Sequence, residues 1–265
     1  MRMGVDYGGT KIEGILLGPD GAELARARVP TPRFDYEGGI RAIRGLMEQL
    51  ETQSGGQVSQ VGIGVPGSVD RATGHVSMGN SVWLHGRDLR GDLAAALERP
   101  VKIANDANCF ALSEAVDGGG AGAEVVFGVI LGTGVGGGIV VNGEVLVGPN
   151  AIAGEWGHNP LPLPRDLDLP LPVCYCGSRG CIETYLCGPA LSAEHGAATG
   201  ITLAPAEIDR RAAAGDAACE LSLARYEAAR DKASVELRAL QAKIAAQVGH
   251  DQAAIFAAQE AILRD

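Results

Sequence analysis

The sequence predicts an α/β protein that opens on a β-meander, and three features predict it. Short apolar runs at residues 3–5, 12–17 and 23–29 are separated by glycine-containing turns, the pattern of consecutive antiparallel strands. Ile40, Ile43, Leu46, Met47 and Leu50 then recur at helical spacing within residues 36–53. Residues 125–131 and 139–141, with Asn142-Gly143 before Val145, repeat the order strand, glycine turn, strand, which suggests two related halves.

Taken in order, the first strand runs into Gly8-Gly9, and Pro19-Asp20-Gly21 closes the second turn. Pro30 and Pro32 break the meander ahead of the first helix. Residues 57–65 return to a strand ending at Pro66-Gly67. Residues 89–97 read as a helix, 101–104 as a short strand and 107–116 as another helix. Between 160 and 172, prolines at 160, 162, 164, 170 and 172 mark a surface loop that leads into a cysteine cluster. From Pro205 onward the chain turns alanine-rich and charged. There, 217–247 and 251–264 read as two helices separated by Gly249-His250, with no strand and no glycine motif.

Composition narrows the function. The 265 residues carry 22 Lys+Arg against 32 Asp+Glu, a formal net charge of −10, which argues against a nucleic-acid partner because phosphates need a basic face. With 46% hydrophobic residues there is enough apolar surface for a core, so disorder is not expected. No apolar run approaches the ~18 residues that span a bilayer, and residues 1–9 lack the apolar core of a signal peptide. A soluble, cytoplasmic protein with no membrane partner is the expectation. In a reducing compartment, Cys174, Cys176 and Cys181 within eight positions read as metal ligands before disulfides.

Four constellations carry chemistry. In Asp6-Tyr7-Gly8-Gly9-Thr10-Lys11, two glycines let backbone N–H groups approach phosphate oxygens, Thr10 and Lys11 add donors, and Asp6 can hold Mg²⁺ through water. The alternative is an ordinary hairpin with an Asp at its mouth. It is not a Walker A loop, whose G-x-x-x-x-G-K-[ST] spacing is absent. Gly132-Thr133-Gly134-Val135-Gly136 matches the letters of a dinucleotide fingerprint through Gly137. That fingerprint must open a helix, whereas Ile139-Val140-Val141 reads as a strand, so a second phosphate hairpin fits better.

His158 with Cys174, Cys176 and Cys181 supplies three thiolates and one imidazole, enough for a closed tetrahedral Zn²⁺ site with Gly177 and Gly180 wrapping the loop. Buried free cysteines beside an unrelated His are the alternative. Cys109, Cys187 and Cys219 lack such neighbours and read as core thiols. The fourth constellation is Asn105-Asp106, Glu155 and Glu183 at element ends. Asp106 alone reads as an N-cap. Beside two phosphate hairpins it becomes a candidate base, since phosphoryl transfer to a hydroxyl needs a carboxylate to accept the proton.

These segments, together with Gly64-Val65-Pro66-Gly67, Asn105-Asp106-Ala107-Asn108 and Gly154-Glu155-Trp156-Gly157-His158, come in the order found in the ROK family of bacterial sugar kinases, which the sequence resembles over about residues 1–227. The resemblance implies an actin-like ATPase (ribonuclease H-like) fold with two lobes and a cleft: an N-terminal lobe at 1–115, a C-terminal lobe at 116–227 and an atypical helical tail at 228–265. It implies ATP and Mg²⁺, a structural Zn²⁺ on His158, Cys174, Cys176 and Cys181, a hexose substrate and a homodimer. Asp106 would be the general base, and Asn105, Glu155, His158 and Glu183 would hold sugar hydroxyls. Asp6, Gly8, Gly9, Thr10, Lys11, Gly132, Thr133, Gly134 and Gly136 would form the nucleotide site.

The stretches 80–84, 155–162 and 174–176 look most like the fructokinase (manno(fructo)kinase) branch, so the expected reaction is phosphorylation of fructose or mannose at the 6-hydroxyl. N-acetylglucosamine or glucose kinase is the alternative. The family usually continues with a buried strand and a triple-glycine turn against the adenosine, and residues after 227 do not match them. An inactive sugar-binding module is therefore a further alternative. A sugar-responsive repressor is disfavoured, as its DNA-binding helices would have to precede the hairpin that begins at residue 4.

Overall fold

The computed structural model of the chain describes residues 1–70, 73–77, 79, 81–164 and 166–250, with the backbone alone at 167 and over 236–250. Contacts divide the chain into two units, Met1–Phe110 with Asn150–Ile152, and Ala111–Pro149 with the residues from Ala153 onward.

The first unit is built on a five-stranded sheet. β1 (Arg2–Tyr7), β2 (Lys11–Leu17) and β3 (Glu23–Pro30) form the expected antiparallel meander. α1 (Tyr36–Ser54) then leads to β4 (Gln60–Val65), which adds parallel to β1. A ribbon of β5 (Ser68–Val69) with β6 (Val76–Ser77) and a 3-10 turn at Val82–Leu84 follow, all too short to leave a periodic signal. α2 (Leu89–Leu97) and β7 (Val101–Asn105), parallel to β4, complete the sheet in the order β3-β2-β1-β4-β7.

Alternation decides which face carries the helices. Ile12, Gly14 and Leu16 of β2 point inward, and a Cβ at Gly14 would lie 2.8 Å from Leu46 Cδ2, so α1 settles directly on the strand. Ile43, Leu46 and Leu50, one stripe of α1, are each at most 1% exposed. On the opposite face Glu13 gathers Lys11 at 3.0 Å, Arg26 at 3.2 Å and Arg28 at 2.7 Å, and these cations hold its carboxyl down at about 2. Asp35 Oδ1 accepts the Gly38 N–H at 2.8 Å to start α1, and Gly55 in the left-handed region ends it.

The second unit opens, after α3 (Asp106–Val116), on an antiparallel sheet of β8 (Val125–Leu131), β9 (Val135–Val141) and β10 (Glu144–Leu146), in the order β10-β9-β8. Asn142 and Gly143 hold φ of 50° and 79°, the two left-handed residues of the turn that the sequence signals. Among the described residues no strand pairs with the outer edge of β8, on which Val129 and Leu131 are exposed.

Among the described residues four helices follow in this unit: α4 (Glu183–Leu186), α5 (Gly188–Thr199), α6 (Pro205–Ala212) and α7 (Ala217–His250). α5 escapes the sequence reading because its small residues blur any apolar stripe, although a proline in its first turn and Pro205 at the start of α6 are helix-start signals. α7 runs unbroken through Gly249 to His250, so the break expected there is absent, and residues 251–264 lie outside the described residues. Residues 228–235 belong to the body of α7. Ala229 and Ala233 are buried with Val135, Trp156, Leu161 and Ile182, and Lys232 Nζ bonds Asp168 Oδ2 at 2.5 Å.

Candidate active site

In the first unit the chemistry collects at the C-terminal ends of the parallel strands. Asp6 of β1 is in register with Gly64 of β4, and Gly64 with Ala104 of β7, so Asn105 and Asp106 emerge beside the glycine turn. A Cβ on Gly64 would lie 3.6 Å from Asp106 Cα and 3.7 Å from Cys109 Sγ, so only a bare backbone separates β1 from the start of α3. Cys109, expected in the core, is instead exposed and lies at this edge. The residue is open to solvent on one side, but its sulfur packs toward Gly64, and the loss of water there, with Asp106 and Asp6 nearby, pushes the thiol up to about 11.

Asn105 and Asp106 divide the work at the head of α3. Asn105 Oδ1 accepts the Asn108 N–H at 3.0 Å and Asn105 Nδ2 donates to Gly67 O at 2.9 Å, so the cap considered for Asp106 belongs to Asn105. Asp106 Oδ1 accepts from its neighbours, Ala107 N–H at 2.8 Å and Asn105 Nδ2 at 3.2 Å. Burial raises the Asp106 carboxyl above the ordinary range, the Ala107 N–H opposes this and Asp6 adds to it. Asp6 is raised too, by burial first, against the attraction of Lys11.

The hairpin between β1 and β2 is pinned from outside. Thr31 donates its hydroxyl to Gly8 O at 2.7 Å and its N–H to Thr10 O at 3.1 Å, and Gly8 N–H donates to Lys11 O at 3.0 Å. These bonds consume carbonyls and leave the N–H groups of Gly9 and Thr10 outside the hairpin's own pairing. Lys11, expected to add an ammonium to the turn, is paired with Glu13 on β2.

In the second unit the turn between β8 and β9 is held in the same way. Gly188 N–H donates to Gly132 O at 2.7 Å, Gly132 N–H to Gly134 O at 2.9 Å, and Val135 N–H to Glu183 Oε2 at 2.7 Å. The N–H groups of Thr133 and Gly134 again stay outside this pairing. Glu183, expected to hold a sugar hydroxyl, thus has one oxygen committed to the glycine turn, and a Cβ on Gly134 would stand 2.7 Å from it. A cavity of about 630 Å³ lies against Gly132 and Thr133, walled by Gly188 and Leu191 of α5, Pro205 of α6 and Tyr226 of α7. β9 follows the turn as a strand, which removes the context a dinucleotide fingerprint requires.

The other glycines of β9 serve the segment that carries Glu155 and His158. Trp156 Nε1–H donates to Gly136 O at 2.7 Å, and a Cβ on Gly137 would lie 2.8 Å from the Trp156 ring. From the facing side a Cβ on Gly157 would fall 2.1 Å from Val135 O. Gly157→Ala is accordingly expected to destabilise the protein by about 1–3 kcal/mol, as overpacking does. A urea unfolding midpoint equal to that of the parent would refute this close approach.

His158 meets the cysteine loop through two bridges. Leu161 N–H donates to Gly180 O at 2.7 Å and Ile182 N–H to Asn159 O at 2.8 Å, while Gly177 and Gly180, at φ of 91° and 70°, turn the loop back. One ligand atom from each of His158, Cys174, Cys176 and Cys181 falls within 4.8 Å of the others. Cys176 Sγ and Cys181 Sγ are 3.7 Å apart and Cys174 Sγ is 3.6 Å from His158 Nδ1. Metal–ligand bonds of about 2.3 and 2.0 Å in a tetrahedron give edges of about 3.5–3.8 Å. The four residues thus fit a closed tetrahedral metal site.

No helix among the described residues is long and apolar enough to cross a membrane. A family model described as the ROK family matches residues 2–263, past residue 227 where the recognisable motifs end. The N-acetyl-D-glucosamine kinase of Yersinia pestis bv. Antiqua (strain Nepal516) is 44% identical over 192 residues, 71% of this chain and 75% of the relative. Other proteins of that name from Yersinia and Pectobacterium are longer, and the chain spans 63% of their length.

Among solved structures, a ROK hexokinase from Thermus thermophilus is 32% identical with a TM-score of 0.71, covering 85% of this chain and 73% of that one. A ROK family glucokinase from Streptomyces griseus, in complex with glucose and AMPPNP, is 29% identical with a TM-score of 0.76, covering 90% and 79%. The curated relatives thus carry the N-acetylglucosamine name that stood as the alternative, in place of the fructokinase suggested by the stretches at 80–84, 155–162 and 174–176. A two-unit α/β body, two pinned glycine turns and a family match over nearly the whole chain establish that this protein belongs to the ROK family and has the actin-like ATPase fold of its sugar kinases.

Proposed function

We propose that the chain is an ATP-dependent sugar kinase, with N-acetyl-D-glucosamine as the substrate its relatives support best. The observation that carries this reading is Asp106: a carboxylate at the head of α3, raised by burial, beside Asp6 and a glycine turn whose N–H groups point to phosphate binding. Asp106 accepts the proton of a sugar hydroxyl as that oxygen forms its bond to the γ-phosphorus and the bond to the β,γ-bridging oxygen breaks, ADP leaving. Asn105, Glu155, His158 and Glu183 hold sugar hydroxyls. Asp6 would hold Mg²⁺ through water, and that ion would neutralise charge on the phosphates.

The backbone of Gly8, Gly9 and Thr10 in one unit, and of Gly132, Thr133, Gly134 and Gly136 in the other, receives phosphate oxygens, and the Thr10 hydroxyl adds a donor. Lys11 serves this site only by leaving Glu13. The cavity beside Thr133, walled by α5, α6 and α7, accommodates the nucleoside and favours a working kinase over an inactive sugar-binding module. Zinc on His158, Cys174, Cys176 and Cys181 is structural, since four protein ligands leave no position for chemistry.

A second reading is supported by the stretches at 80–84, 155–162 and 174–176, which favour fructose or mannose. A coupled assay of ADP release over N-acetylglucosamine, glucose, fructose and mannose separates the two. The highest kcat/KM is expected on N-acetylglucosamine; a preference for fructose or mannose selects the second reading, and no turnover on any sugar refutes the kinase.

A further inference from the structure

Tyr175 lies between two cysteines of the loop, and 69% of it is exposed. Its ring meets His158 edge to face at 5.2 Å, and its hydroxyl is 3.1 Å from His158 Nε2. The other imidazole nitrogen, Nδ1, is turned to Cys174 Sγ. His158 therefore has one nitrogen through which it can touch a ligand, and Tyr175 occupies it.

We propose that Tyr175 is a gate on the sugar site, a specificity-determining residue whose hydroxyl holds His158 Nε2 until a sugar hydroxyl displaces it. The inference rests on the sugar-kinase reading and adds to it a residue that does no chemistry. With Nδ1 engaged by the metal, Nε2 carries the imidazole proton and donates it to the phenol oxygen. A sugar must offer His158 an acceptor in its place, so every productive binding event breaks the Tyr175 bond. Because the phenol is exposed, it can swing into solvent without disturbing the core. A sugar whose hydroxyl reaches Nε2 binds at the cost of one hydrogen bond, and one that cannot reach it meets a closed ring.

Tyr175→Phe keeps the ring and its edge contact with His158 while deleting the competing hydroxyl. In zinc-replete protein the KM for the preferred hexose is expected to fall about 2- to 10-fold, the range one net hydrogen bond gives, with kcat within about twofold of the parent. A raised KM would make Tyr175 a sugar contact, and an unchanged KM would make it a bystander; either overturns the gate. The nitrogen-15 resonance of His158 Nε2, measured without sugar, reads the same bond independently of turnover. It is expected to differ between Tyr175→Phe and the parent, and identical resonances refute the gate. If the parent phosphorylates no sugar, the kinase reading fails by that assay while the resonance still decides whether Tyr175 holds His158.

Discussion

Asp106→Asn is expected to lower kcat by at least about a hundredfold, the contribution of a positioned general base, while the sugar still binds. The asparagine keeps the shape of the side chain and can accept the Ala107 N–H that Asp106 Oδ1 takes at 2.8 Å, so the head of α3 is retained. It cannot accept a proton at neutral pH. Stability should move the opposite way from activity. Burial raises the folded-state pKa of Asp106 above its ordinary 3.8, so between the unfolded and folded values the native protein binds more protons than the unfolded chain. That contribution to stability is full below the unfolded value and is lost as pH rises through the folded one.

At pH 7 the charged carboxylate is therefore a burden on the fold, and Asp106→Asn should melt at or above the parent's midpoint. The same shift places the acid limb of kcat/KM at a higher pH than an ordinary Asp would give, with activity lost as pH falls and Asp106 becomes protonated. Kinetics over pH 4–8 and thermal unfolding at pH 7 check both. An active variant removes Asp106 from the base role. An inactive variant that melts well below the parent makes it a structural residue.

The parts of this architecture that repeat along the chain were legible in the sequence. Strand alternation from Met3 to Leu16, the helical spacing from Ile40 to Leu50 and the Asn142-Gly143 turn all report local geometry, and each element forms where the pattern puts it. The glycine turns were legible as places where something nears the backbone. What nears it was not, because the partners are distant in sequence: Thr31 closes the first turn from 23 residues beyond Gly8, and Glu183 closes the second from 48 residues beyond Val135.

Lys11 shows the limit of reading a motif by residue type. Its neighbours on the hairpin suggest a phosphate ligand, but side chains two apart on a strand share a face, and Glu13 takes the ammonium. Cys109 shows the same limit for a lone thiol. Its place beside Gly64 follows from the parallel crossover that sets β7 next to β4, a relation with no local signal. α5 went unread, and so did the buried face of α7, although 217–247 read as a helix, for a different reason. Alanine-rich surfaces bury small side chains, such as Ala229 and Ala233, that no hydrophobic periodicity marks.

Removing the metal is expected to have the largest effect on stability. Cys174 and Cys181 are 4% and 1% exposed, and burial raises both thiols, Cys181 to about 12, so without a cation these sulfurs hold their protons. Cys176 is lowered, chiefly by the Ser178 N–H, and offers the first thiolate. At 3.7 Å the Cys176 and Cys181 sulfurs are far beyond the ~2.05 Å of a disulfide. A divalent cation turns the cost of two buried thiolates into bonding, with the exposed Cys176 as a third sulfur ligand, and it ties the 158–161 segment to Cys174 and Cys181. Purified protein should contain about one zinc per chain. Cys181→Ser should lose it, and chelation should lower the thermal midpoint by at least about 10 °C, several kcal/mol at a few degrees each. The loss should reach the sugar through His158, whose Nδ1 would no longer be held, so KM should rise in the variant even where it remains folded. Metal analysis by mass spectrometry, unfolding with and without chelator, and KM for the preferred sugar form the test. Protein that is active, stable and free of zinc would make the four residues a thiol cluster beside an unrelated histidine.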